Sequence, residues 1–239
     1  MPYRRLPNTD SARIKVMRKT LLQVDKDYDL GINIIPFDLV YKLRLLSTDF
    51  EQAVRLYNLS LKRQVEASKE MREHYKKAKL YISHFIQVFN MAIVRGDISR
   101  DERKYLNLLV EELTVPHIRT EKQLLKIGRQ VIQGEEKRLQ RGLSPITNPN
   151  ISLVKVFYNR FEESYIFYKK LQEVTEANLK NVAKLRPKID SLIQAIWNKV
   201  EKAFDDLPSQ QKRQRAMLYG VVYFYRKGER EVIEKKIIL

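Results

Sequence analysis

Residues 37–95 read FDLVYKLRLLSTDFEQAVRLYNLSLKRQVEASKEMREHYKKAKLYISHFIQVFNMAIVR, without one proline or glycine. From Phe50 onward Phe50, Tyr57, Gln64, Met71, Ala78, Phe85 and Ala92 recur every seven residues. Val54, Leu61, Ser68, Tyr75, Ile82 and Phe89 form a second column, offset by four. Alternating steps of four and three place both columns on one side of a helix that buries a seam. The stretch therefore predicts an all-α fold. A helix from Phe50 to Arg95 would be roughly 70 Å long at about 1.5 Å per residue. Thr48 with Glu51 has the spacing of a capping box, so a break near Ser47 is expected as an alternative to one continuous helix.

A second tract of this kind covers Ile151–Leu207. Its column is Val154, Phe161, Tyr168, Thr175, Val182, Ile189, Ile196 and Ala203. Pro187 interrupts it, and the lost N–H predicts a kink or a restart near Leu185. Shorter helices surround the two tracts. Thr9 or Asn8 caps one to about Lys26, with the stripe Ile14, Met17, Leu21 and Val24. Ser99 with Glu102 caps another, after a stop at Gly96, to about Leu113. Thr120 with Gln123 caps a third to about Arg141, weakened by Gly128 and Gly134. Pro208 and Ser209 open a last one, with Met217, Val221 and Phe224 on one face, running to about Arg226 and ended by Gly228. The run Ile32–Ile35 is too isolated to found a sheet. Residues 142–150 are the clearest loop, and the final Ile237-Ile238-Leu239 is expected to pack on the protein.

The tracts belong to a larger repeat. At an offset of 111, Thr9 falls on Thr120, Lys15 on Lys126, Arg18 on Arg129, Phe50 on Phe161, Glu51 on Glu162 and Tyr57 on Tyr168. Farther on the register slips: Ile82 with Ile189 and Gln87 with Gln194 are 107 apart. Both seams carry a polar layer, at Gln64 with Ser68 and at Thr175, read as a register device. Two heptad helices align by period alone, but the order of elements repeats as well. We read two related halves, 1–118 and 119–239, forming an elongated bundle on two antiparallel long helices. The alternative closes each seam on a second chain.

Composition bounds the function. Apolar residues at 44% sustain a core against 31% charged residues, which argues against a disordered chain. There is no cysteine, which removes disulfides, thiol catalysis and Cys-bound zinc. Neither a signal-peptide core nor an apolar run of membrane-spanning length occurs, and a cytoplasmic protein is expected. His74, His84 and His117 lack the Glu-x-x-His spacing of a di-iron bundle. His74 and His84 lie about 80° apart around a helix, so no metal is expected. No Gly-rich phosphate motif or Gly-x-Ser-x-Gly elbow is present, and no cofactor is expected. The adjacent pairs Glu111-Glu112 and Asp205-Asp206 point about 100° apart and make poor paired acids.

The net charge of +17 draws polyanions. Lys62, Lys69, Arg72, Lys76 and Lys79 fall within one arc, but Glu66, Glu70 and Glu73 lie alongside and read as neutralising them. Less neutralised are Arg4, Arg5, Lys15, Arg18, Lys122, Lys126, Arg129, Lys212, Arg213 and Arg215, the candidate polyanion-binding set. A basic protein without a polyanion partner would have the same composition. The aromatic group Tyr219, Tyr223, Phe224 and Tyr225, beside Arg226 and Lys227, reads as closing a core end rather than stacking bases. No separate apolar face for a membrane surface is identifiable.

The opening Met1-Pro2-Tyr3-Arg4-Arg5-Leu6-Pro7-Asn8-Thr9-Asp10, continuing Ser11-Ala12-Arg13, resembles the start of a family of uncharacterised bacterial helical proteins. The resemblance covers the first dozen or so residues. It implies a bacterial cytoplasmic origin, an all-helical fold and no particular activity or acting residue. The functional expectation is a non-enzymatic binding or scaffold protein, meeting a protein partner or a second copy of itself. Its alternatives are sequence-independent nucleic-acid binding and an enzyme with an unrecognised interhelical site.

Overall fold

The computed structural model describes residues 2–226. Helices α1 (Asp10–Asp29), α2 (Phe37–Arg95), a 3-10 helix (Arg100–Leu106), α3 (Glu121–Gln140), α4 (Ile151–Ala203) and α5 (Ser209–Leu218) make an all-α fold. One short antiparallel ribbon joins β1 (Tyr3–Arg4) to β2 (Tyr223–Phe224), with Tyr3 opposite Phe224 and Arg4 opposite Tyr223. Lys227, Gly228 and the final Ile-Ile-Leu lie outside the described residues.

Local signals set most helix starts. The Thr9 hydroxyl accepts from the Ala12 N–H at 3.1 Å, and the Thr120 hydroxyl accepts from the Gln123 N–H at 3.2 Å. Glu102 accepts from the Ser99 N–H at 3.0 Å. Asn150, at the end of the predicted loop, accepts from the Leu153 N–H at 2.8 Å and opens α4.

The long helices settle the alternatives left open at Ser47 and Pro187, and three further expectations need correction. Helix α2 passes Ser47 without a break. The Thr48 hydroxyl donates to the Arg44 carbonyl at 3.1 Å, and Glu51 is taken by Arg18, so neither is free to cap. Helix α4 passes Pro187 without a restart. Pro187 is exposed, while Arg186, Ile189 and Asp190 around it are held by other contacts. The helix expected to reach Leu113 is the 3-10 turn ending at Leu106, where Asn107 turns left-handed at φ 53°. The last helix ends at Leu218; Tyr223 and Phe224 then pair in the ribbon, so Met217 and Phe224 are exposed and share no buried helical face with Val221. Gly128 and Gly134 are contact sites rather than flaws. A methyl group on Gly128 would lie 2.5 Å from the Tyr158 ring, and one on Gly134 would lie 2.2 Å from the Tyr105 carbonyl oxygen.

The chain folds as two compact units. One comprises the described residues of Met1–Leu59 and Glu176–Leu239, the other Ser60–Thr175. These are not the halves 1–118 and 119–239. Inside the second unit Tyr75 meets Phe161 edge-on at 5.6 Å and Tyr81 stacks on Phe157 at 4.0 Å. As numbers rise on α2 they fall on α4, so the later part of α2 pairs with the earlier part of α4. Each unit consequently draws on both halves of the sequence. The first core contains Met17, Leu43, Phe50, Ile189, Trp197 and Val200; the second contains Phe85, Phe89, Leu124, Val131, Val154 and Phe161.

Burial keeps the offset of 111 through the long helices. Leu43 and Val154, Phe50 and Phe161, Met71 and Val182, Ala78 and Ile189, Ile82 and Ile193, Phe85 and Ile196, and Phe89 and Val200 are all buried. The slip to 107 is not needed: a four-residue step carries one seam column onto the other, so period alone cannot separate the two registers. Of the polar layer, Thr175 is buried and donates to the Leu171 carbonyl of its own helix at 2.9 Å.

Candidate functional site

Of the ten basic residues singled out by sequence, Lys122, Lys126 and Arg129 belong to the second unit and the others to the first. Arg4 turns inward: its guanidinium donates to Asn198 at 2.8 Å and Glu201 at 2.9 Å, above the Trp197 ring. Arg18 is bidentate to Glu51 at 2.8 and 2.5 Å, and Arg129 meets Glu162 at 2.7 Å. These two pairs stand 111 apart at both ends. The hydrogen bond to the glutamate is the first cause that raises Arg18 and Arg129 above the usual guanidinium range, and the bond from Arg18 is the first cause that lowers Glu51 below the usual carboxyl range. Lys212 pairs with Asp205. Arg5 lies over the Phe224 ring at 5.3 Å. Lys15, Lys122, Lys126 and Arg215 are exposed and Arg213 half-buried, without an ion pair among the described residues. In the first unit Arg5, Lys15 and Lys19 ring a groove of about 380 Å³ floored by Val16, Val221 and Val222.

The aromatic group divides as a core end would. Tyr219 is buried and its O–H donates to Asp27; the Tyr223 O–H donates to Glu201 at 2.6 Å. Burial first, and the carboxylate partner second, push both phenols far above their ordinary value, so both remain protonated donors.

Sequence reading missed the buried charges. Arg138 is 0% exposed, lies over the Phe89 ring at 4.8 Å, and donates to Glu135 at 2.5 Å, Glu102 at 2.9 Å and the Ser144 carbonyl at 3.1 Å. Arg103 is likewise buried and donates to the Leu109 and Thr114 carbonyls and to Asn90. In the other unit Arg13 is bidentate to Asp190 and Arg186 bidentate to Asp10, all four bonds at 2.8 Å. These networks fasten loops and helix ends to helices. They are saturated by the chain itself, which suits a structural part.

Among the described residues the corner between α1 and α2 gathers a group of exposed apolar side chains. Tyr28 is 77% and Phe37 83% exposed, with Leu30, Ile32, Tyr41 and Leu45 also exposed. Phe37, Tyr41 and Leu45 are four apart and share one face of α2, while Val40, Leu43, Ser47 and Phe50 on the other side are buried. The first turns of α2 are thus apolar on two faces, one of which the fold covers. This is the separate apolar face that sequence alone did not resolve. Beside it opens a cavity of about 800 Å³, walled by Val24, Ile34, Ile35 and Val40 and edged by Asp25, Asp27, Asp29 and Arg44.

Among the described residues no group of histidine and carboxylate side chains has the arrangement of a metal site, and no helix is long and apolar enough to cross a membrane. No family model, no curated protein and no solved structure matches the chain.

Proposed function

We propose that this chain is a non-enzymatic helical binding protein that meets a protein partner through the α1–α2 corner. The observation that carries the reading is the exposed stripe Phe37, Tyr41 and Leu45 with Tyr28 and Leu30 beside it, where Phe37 at 83% and Tyr28 at 77% are bared more fully than the other large apolar side chains of the unit. A contiguous apolar patch of this kind marks an interaction surface, and aromatic side chains carry much of the energy of such contacts. The corresponding positions 111 residues later are Asn148 for Phe37, Ser152 for Tyr41 and the exposed Val156 for Leu45, so the two aromatic members of the stripe belong to one of the two units while its third residue recurs in both. The plan the units share supports reading the chain as two copies of one element set, with the aromatic pair a later specialisation of the first.

The test is a comparison of the full chain with Phe37→Ser/Tyr41→Ser. A partner identified by affinity capture and then purified forms a binary complex with the wild type and loses at least about tenfold in affinity with the double variant. Equal affinity would reject the corner as the docking surface. Light scattering over a range of concentrations tests whether the partner is a second copy.

A second reading, sequence-independent polyanion binding, is favoured by the groove ringed by Arg5, Lys15 and Lys19. A titration with mixed DNA and RNA at two salt concentrations tests it. Binding with a steep salt slope, weakened in Lys15→Gln/Lys19→Gln, supports it; no binding at low salt rejects it.

A further inference from the structure

We propose that the cavity beside the corner receives a lysine or arginine side chain of the protein partner, carried among apolar residues. The inference rests on the docking reading above and names the chemistry of its ligand. The walls are apolar: Val24, Ile34, Ile35 and Val40 offer a methylene stem the surroundings it loses on leaving water. The edge is acidic. Asp25, Asp27 and Asp29 all belong to the last turns of α1, where the helix dipole is already negative. Carboxylates at a helix C-terminus oppose that dipole, and they gather here in a chain of net charge +17. Among the described residues one ion pair reaches them, from Arg44 to Asp25. Asp27, 7% exposed, is held by neutral donors, the Gln23 amide at 2.8 Å and the Tyr219 O–H. Asp29 has no ion pair among the described residues. Two donors fill part of the acceptor capacity of a carboxylate, about four sites, and leave room for a cation entering through the cavity.

The same charge separates occupants. Anionic lipid headgroups and nucleic-acid phosphates are repelled by this edge, whereas the exposed rings of Tyr28 and Phe37 at its rim add a cation–π surface for an incoming guanidinium or ammonium. A segment with a basic side chain between apolar ones satisfies the edge, the walls and the neighbouring stripe together.

The experiment titrates the full chain with a short capped peptide bearing one lysine between leucines, and with the same peptide carrying norleucine for the lysine. Chemical-shift changes are followed by NMR. The lysine peptide is expected to shift Val24, Ile34, Phe37 and Tyr219 and to bind about tenfold more tightly than the norleucine peptide. The exposed-site variant Asp29→Asn should weaken the lysine peptide severalfold and leave the norleucine peptide unchanged, with the circular dichroism of the chain unaltered. Asp27→Asn should weaken it further. Equal binding of both peptides would overturn the cation site while leaving the apolar docking surface standing. Shifts from neither peptide would overturn both. Binding of the corner to vesicles of anionic phospholipid, abolished by Phe37→Ser, would replace the protein partner with a membrane surface and overturn the proposal.

Discussion

A methyl group on Gly134 would stand 2.2 Å from the Tyr105 carbonyl oxygen, a backbone atom that cannot rotate away. On Gly128 it would meet the Tyr158 ring at 2.5 Å and the end of the Ile82 side chain at 2.7 Å, both of which can yield a little. Glycine to alanine inside a helix ordinarily stabilises by about 0.5–1 kcal/mol. Here the sign reverses. Gly134→Ala is expected to destabilise by about 1–3 kcal/mol, and more than Gly128→Ala, as read from urea midpoints. Arg138 makes a second test at this scale. Arg138→Met strands Glu135, which is 1% exposed, and should cost about 3–5 kcal/mol; adding Glu135→Leu to it should recover part of that loss. Both side chains were legible in principle. Leu124, Gly128, Val131, Glu135 and Arg138 step by four and three along α3, which is the period of its buried face. Charge argued the other way. The decision rests on Glu102 and the Ser144 carbonyl, which arrive from outside α3 and which no spacing within that helix announces.

The elements themselves followed from the sequence where the signal was local and failed where tertiary contacts compete. Capping at Thr9 and Thr120, the stop of α2 at Arg95 and the loop before Asn150 are set by a few adjacent residues. The Thr48–Glu51 box reads equally well, but a helix whose Leu43 and Phe50 are both buried gains more by continuing than by capping. Pro187 is tolerated because the face it occupies is solvent and because Arg186 is bidentate to Asp10 next to it. The β ribbon pairs residues over two hundred apart and leaves no periodic trace in two-residue strands. Acid should loosen these joints in a defined window. Hydrogen bonds from Arg186 hold the Asp10 carboxyl below its ordinary value, and those from Arg18 do the same for Glu51. A carboxyl depressed in the folded state lends stability above its unfolded value, near pH 4, and that stability is lost as pH falls through the folded value. Thermal melts from neutral pH downward should fall less steeply below about pH 4 in Asp10→Asn. On the alkaline side Tyr219 and Tyr223 are raised, first by burial. Their contribution is complete below the unfolded value near pH 10 and is lost as pH rises beyond it, so Tyr219→Phe should retain more of its stability above about pH 10.

At the scale of the molecule, the two units share a plan: a capped short helix, the start of its long helix, the end of the other long helix, and the short element that follows it. Phe50 and Phe161 occupy equivalent places, both fully buried, next to the Glu51–Arg18 and Glu162–Arg129 pairs. Phe50→Ala and Phe161→Ala should each cost about 3–5 kcal/mol, and a much smaller cost at one of them would separate the two plans. Sequence delivered the all-α class and the two long helices with their seams. The α1–α2 corner lay beyond it, because an apolar residue on a helix looks the same whether its face is covered or bare. Docking through the corner depends on the seams closing within one chain, so that a partner meets the corner and not an open seam. The native chain has no cysteine, which makes one measurement direct. Tyr81 and Phe157, whose rings stack at 4.0 Å, are changed together to cysteine and treated with a short thiol–thiol cross-linker. The account predicts a monomer carrying one bridging linker at every protein concentration; covalent dimers joining residue 81 of one chain to residue 157 of another would contradict it.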